Sequence, residues 1–172
     1  DWHLELAKPI LMGEDEAAKA ETRAATAWAL DRILQLLHPF MPFVTEELWG
    51  AFAKRDALMT SRWPSFDDAL KNGAAASEMN WVIGLISEVR SVRQEMNVPV
   101  AAKIPLIFVG GSVDDAAKLK RHDDVLKRLA RLSEISTADE APKGAVQVVH
   151  AGAVAALPVA DDERSPSPED PL

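Results

Sequence analysis

Apolar positions in the first hundred residues recur at helical spacing. Leu4, Leu6 and Ala7 mark a helix over residues 1–12 that closes near Pro9, and residues 13–16 form an acidic turn. A long Ala-rich helix is expected over 17–37, with Trp28, Leu30, Ile33, Leu34 and Leu37 on its apolar positions. Pro39 and Pro42 forbid an uninterrupted continuation, because each lacks an N–H and clashes with the preceding turn. Thr45-Glu46-Glu47 then opens a short amphipathic helix that runs to about Lys54, its acids favourably placed in the first turn. Together these residues predict a tight apolar corner, packed as part of a helical core. Residues 55–76 read as irregular, and a second long helix is expected over 77–96, with Ser77 as its N-cap and Pro99 as its stop.

The period then changes. Residues 103–109 are a short apolar run bounded by Gly110-Gly111, which reads as a strand; Pro105 points to an edge position or an irregular strand start. Residues 112–121 and 123–132 read as helices. Two β-rich runs, 145–150 and 153–159, are separated by Ala151-Gly152, the spacing of a hairpin. The pattern therefore predicts a mainly α protein: a helical bundle over 1–98, a small β-α-α-β-β subdomain of α+β type over 99–160, and a Pro- and acid-rich disordered tail over 161–172.

Composition narrows the function classes. The 172 residues suffice for one domain with a small subdomain, and a chain of this size buries about 70% of its unfolded surface. Absence of cysteine excludes disulfides and thiolate metal sites and agrees with a reducing, cytoplasmic setting. No apolar run is long enough for a transmembrane helix and no signal-peptide pattern is present, so no membrane partner is expected. The chain begins at Asp1, already in a helical pattern, as a piece cut from a longer polypeptide would. A net charge of −8 argues against nucleic-acid binding, but the charge is uneven. Residues 1–78 carry 8 basic and 13 acidic side chains, residues 79–132 carry 9 and 6, and residues 133–172 carry 2 and 8. A local basic surface in the middle segment can act alone, since salt confines each field to about 10 Å.

On the helix over 77–97, Met79, Ile83 and Ile86 fall on one line that continues through Arg90, Arg93 and Asn97. Either the second half overhangs the bundle, solvated or paired with acids such as Glu46 or Glu47, or it borders a groove that receives phosphate or a base. Arginine suits both phosphate and base stacking. Trp63, in a loop before Pro64, is open to packing or to stacking on a base, whereas Trp28, Trp49 and Trp81 read as core. Lys54 and Arg55 end the short helix, where they favour its dipole or meet a phosphate. Lys118, Lys120, Arg121, Lys127, Arg128 and Arg131 form either a solvated face or a backbone contact. His38 reads as a packed or capping residue. The four histidines lack metal-ligand spacing, and no Ser-His-Asp order, phosphate loop or carboxylate pair suggests catalysis, so neither a catalytic nor a metal site is expected.

One family combines these features. Residues 37–49, from Leu37 through Pro39-Phe40, Pro42-Phe43 and Glu46-Glu47-Leu48-Trp49, resemble the L-x-P-F-x-P-F-x-x-E-E-L-W corner of the anticodon-binding domain in class I aminoacyl-tRNA synthetases for valine, isoleucine and leucine. Residues 1–9, Trp63-Pro64, residues 88–98 and Arg128-Leu129-Ala130-Arg131-Leu132 resemble successive elements of the same domain, with 88–98 similar to the valine branch over the isoleucine and leucine branches. The resemblance implies an antiparallel helical bundle with a small mixed appendage. It implies tRNA as partner, the valine acceptor in that branch, alongside catalytic and editing domains of one polypeptide. It also implies that the full-length enzyme uses ATP and Mg2+ while this segment, which lacks the ATP-binding signatures, holds no cofactor and catalyses nothing alone. The resemblance favours the groove reading of the second long helix without saying which arginine touches RNA; by their chemistry and position the candidates for tRNA binding are Arg90, Arg93 and Asn97, then Trp63, Lys54 and Arg55, and loss of the Arg93 side chain is expected to weaken binding. The valine branch usually continues into a charged coiled coil, from which residues 161–172 depart. That departure keeps open a freestanding module that binds RNA or protein, and a purely structural helical domain is a third reading.

Overall fold

The computed structural model describes residues 2–159, so the expectation for 161–172 lies outside the described residues. The chain divides into two compact units, residues 1–71 and 72–172. The long helix thus falls with the sheet, whereas the sequence pattern draws its boundary at 98.

Unit 1 contains α1 (Trp2–Met12), α2 (Glu16–Leu37) and α3 (Pro42–Phe52), followed by short 3-10 turns at Leu58–Thr60 and Asp68–Leu70. The Asp15 carboxylate accepts from the Ala18 N–H at 3.0 Å and caps α2. Pro42 occupies the first turn of α3, where a missing N–H costs nothing, so this helix starts three residues before Thr45. Polar side chains knit the corner. Thr45, 1% exposed, donates Oγ1 to the Met41 carbonyl at 2.7 Å and stands 2.8 Å from His38 Nδ1. Glu46 accepts from the Leu58 and Met59 N–H groups at 2.8 and 3.3 Å, so this acid anchors the 58–60 turn. The unit's apolar cluster is Leu34, Trp49 and Leu58, with Leu30 against it.

Two expectations for unit 1 are corrected. The corner is not an apolar core corner: Phe40 and Phe43 are 82% and 91% exposed, because α2 and α3 meet through Thr45, Glu46 and Trp49 rather than through these rings. Trp28 is not a core residue either; it is half exposed, meets Phe66 edge-on at 6.2 Å and has the Arg32 guanidinium 6.0 Å from its ring centroid.

Unit 2 opens with α4 (Gly73–Glu95). Its cap is Asn72, which accepts from the Ala75 N–H at 3.0 Å, not Ser77; the run Ala74-Ala75-Ala76 propagates helix readily and extends it backwards. The buried stripe runs through Val82, Leu85, Ile86, Val89, Val92 and Arg93. It is rotated from the expected Met79–Ile83–Ile86 line, and it stays apolar until Arg93.

The remaining elements are β1 (Ile104–Val109), α5 (Val113–Arg121), α6 (Asp123–Ala130), β2 (Leu132–Ala138), β3 (Val146–His150) and β4 (Ala153–Leu157). The strand order is β2-β1-β4-β3, with β1 and β2 parallel and the other pairs antiparallel. A parallel pair needs a crossover, which α5 and α6 supply. β1 is therefore an internal strand, and Pro105 sits at a break in its register with β2 between Ile104 and Leu106, the irregular start of the two alternatives. The subdomain has one strand more than β-α-α-β-β: β2 carries little apolar alternation and buries only Leu132. Ala151 and Gly152 both have positive φ, 51° and 87°, as a tight two-residue hairpin turn requires. Ser112 and Asp115 form a reciprocal capping box on α5. α4 lies close on β3, since a Cβ on Gly84 would stand 3.0 Å from His150 Cε1.

Candidate nucleic-acid interface

Helix α4 and the C-terminal end of α6 meet through arginines. Arg90, half-buried, donates Nε to the Leu129 carbonyl at 3.0 Å. Arg93 is 7% exposed and its guanidinium reaches three carbonyls: Pro99 at 3.0 Å, Ala102 at 2.8 Å and Arg131 at 3.4 Å. Arg93 therefore ties the 97–102 turn and the start of β2 to α4, and it does not lie on a solvated face. Burial of a guanidinium needs such partners, and carbonyl oxygens at helix and turn ends provide them.

Asn97 is exposed and left-handed (φ 52°), just past the end of α4, a conformation asparagine tolerates. It lines a hollow of about 680 Å³ with Arg90, Gln94, Val100 and Leu129. On the other side of Arg90 lies a second hollow of about 700 Å³, walled by Lys103, Asp124, Lys127, Arg128 and Arg131. Arg131 is left-handed too (φ 54°) and turns the chain from α6 into β2. Five of the six cations of the appendage thus separate into two groups. Lys118 pairs with Asp114 at 2.7 Å and lies over the Trp81 ring, and Arg121 with His122 holds Glu78, while Lys127, Arg128 and Arg131 gather at the far end of α6. The hydrogen bond from His122, then that from Arg121, holds the Glu78 carboxyl below its ordinary range.

In unit 1 the candidates differ in their freedom. Lys54 is exposed on the segment after α3. Arg55 is built in: Nη1 reaches both Asp31 carboxylate oxygens at 2.9 Å, Nε donates to the Trp49 carbonyl at 2.8 Å, and its guanidinium lies 3.4 Å from the Trp49 ring centroid. It thus serves the helix C-terminus, one of its two expected uses. Trp49 is buried and donates Nε1 to the Asp56 carbonyl at 3.0 Å, as a core residue. Trp63 is 65% exposed beside a small hollow of about 200 Å³ shared with His38, Pro39 and Met59.

Sequence reasoning passed over Gln94 and Lys103. Gln94 was within reach, being four residues after Arg90 and three before Asn97 on one helix face. Lys103 was not, since its partnership with Arg131 depends on the β1–β2 pairing. Among the described residues no group of three or more His, Cys, Asp or Glu side chains could hold a metal ion, and no helix is long and apolar enough to cross a membrane.

A helical region with a half-buried arginine and exposed carboxamide and aromatic groups, joined to a small sheet with a cationic hollow, suits an RNA-contacting module. The family model for the anticodon-binding domain of tRNA ligases matches residues 1–108, and the chain belongs to that family. The chain is 51% identical to the valine–tRNA ligase of Mesorhizobium japonicum, over 92% of this chain and 18% of that protein. It is 46% identical to that of Nitrobacter winogradskyi (92% and 20%) and 49% identical to that of Caulobacter vibrioides (94% and 18%). The chain thus spans about a fifth of the length of the curated relatives it matches.

Proposed function

We propose that this chain is the tRNA-recognition part of a valine–tRNA ligase and contacts the anticodon arm of the valine acceptor. The observation that carries this reading is the family match over residues 1–108 together with the open hollow beside α4. Gln94 and Asn97 carry carboxamides, each with a donor and an acceptor suited to the edge of an unpaired base. Arg90 is held between them and the cationic side, where its plane can stack on a base or meet a phosphate. Trp63 offers an exposed face for stacking, and Lys54 a phosphate contact. Arg93 and Arg55 act in this reading as supports that hold the binding groups in place. ATP and Mg2+ belong to the catalytic domain of the same cytoplasmic polypeptide, which joins valine to the tRNA.

A binding titration of the chain against valine tRNA and an anticodon-swapped variant, at two salt concentrations, tests this. Binding that weakens with salt and with the swap is expected. No binding at low salt overturns the reading, and equal binding to both tRNAs removes base recognition while leaving phosphate attraction.

A further inference from the structure

We infer that the hollow between Arg90, the end of α6 and the start of β1 binds the phosphodiester backbone of the RNA, through Lys103, Arg128 and Arg131. This rests on the proposed reading but goes beyond it: Lys127, Arg128 and Arg131 lie outside the residues matched by the family model.

The fold assembles the hollow from distant parts of the sequence. Ile104 pairs with Leu132 in the parallel register, and the Ile104 N–H donates to the Arg131 carbonyl at 3.3 Å. Lys103 and Arg131 therefore precede paired residues on neighbouring strands, which lie about 5 Å apart. Arg128 stands one helical turn before Arg131, and Arg90 closes the wall from α4 through its bond to Leu129. Among the described residues Asp124 is the one carboxylate on this wall; Asp123 engages Lys127 at 2.8 Å.

Cations gathered on one wall of an open hollow raise the local concentration of an anion beside them. Here Lys103, Arg128 and Arg131 are all exposed, in a chain of net charge −8. Their side chains combine planar forks with a mobile ammonium, the mixture that suits a run of phosphates better than a single small carboxylate. A hollow of about 700 Å³, open to solvent and lined by cations, can follow a strand's backbone. The adjoining hollow at Gln94 and Asn97 would receive a base from the same strand, since Arg90 and Leu129 line both.

The test compares the chain with the double variant Lys103→Glu, Arg128→Glu, and with the single variant Lys143→Glu in the loop before β3 as a charge control. Valine tRNA is titrated over a range of salt. Each lost phosphate contact removes roughly 0.7–0.9 from the slope of log affinity against log salt, so the double variant should lose about 1.5 in slope and bind at least about tenfold more weakly at low salt. Lys143→Glu should stay within about twofold. Unchanged affinity and slope in the double variant, or an equal loss in Lys143→Glu, overturns the inference and leaves the proposed function standing. Failure of the unaltered chain to bind overturns both. Should the glutamate pair disturb folding by circular dichroism, Lys103→Gln with Arg128→Gln removes the same positive charges; the same slope loss is expected, and its absence is equally fatal.

Discussion

Unit 1 and unit 2 solve the burial problem by different means. In unit 2, Val82, Leu85, Ile86, Val89, Ile104, Leu106, Phe108 and Leu126 are all at or near zero exposure, closed between α4, α6 and the sheet. In unit 1, a cluster of Leu34, Trp49 and Leu58 does the apolar work, and Phe40, Phe43 and Trp63 are among the large side chains left exposed. What holds unit 1 is a set of polar tethers: Thr45 to Met41, Glu46 to Leu58, Gln35 to Arg62 and Arg55 to Asp31. Burial is insensitive to detail but large, whereas tethers are individually modest and directional. Unit 2 should therefore respond most strongly to lost volume, and unit 1 to lost hydrogen bonds.

The largest effect is expected for Phe108→Ala. The ring is 1% exposed and meets Trp81 edge-on at 5.9 Å, so its removal should cost about 3–5 kcal/mol in urea unfolding. A cost under about 1 kcal/mol would break the contrast between the units. Arg93→Ala comes next: it strips a cation from the Pro99, Ala102 and Arg131 carbonyls and should destabilise unit 2 by about 3 kcal/mol. tRNA affinity should fall only as far as the folded fraction does, which separates a supporting arginine from a contacting one. A smaller effect is expected on acidification. The Glu78 carboxyl titrates below its ordinary 4.5 because His122 and then Arg121 favour the charged form, so its stabilisation is complete above that pH and fades as pH falls through the lower folded value. Thermal melts of the chain and of Glu78→Gln should converge on descent below pH 4.5, and parallel curves would remove this triad from the balance. The smallest change, within about 0.5 kcal/mol, is expected for Phe43→Ser in unit 1, because the ring is 91% exposed. A large loss there would mean that the corner carries an apolar core after all.

Local signals were read well where one residue type has one physical use. Pro39 and Pro42 interrupt the helix, Ala151-Gly152 supplies a tight turn, and His38 caps α2. Periodicity was less reliable. In α4 the Met79–Ile83–Ile86 line is a real apolar row, yet the sheet selects the adjacent row through Leu85 and Val89. Strand β2 has too few apolar residues to announce itself, because its partner is fixed by the crossover and not by its own alternation. Of the candidate site, Arg90, Arg93 and Asn97 all border one hollow, yet Arg93, which looks the same in a helical projection, is buried there against backbone carbonyls. Distance to carbonyls 6 to 38 residues away decided its use.

Short-range chemistry was thus written in the residues themselves: helix breaks, caps, turns and the motif of the anticodon-binding family. The exposure of Phe40 and Phe43, the employment of each arginine and the meeting of Lys103 with Arg131 were decided only when distant segments packed. The reason is physical. A cap or a proline acts through neighbours along the chain, whereas a charge or a ring takes its role from whatever surface the fold brings against it.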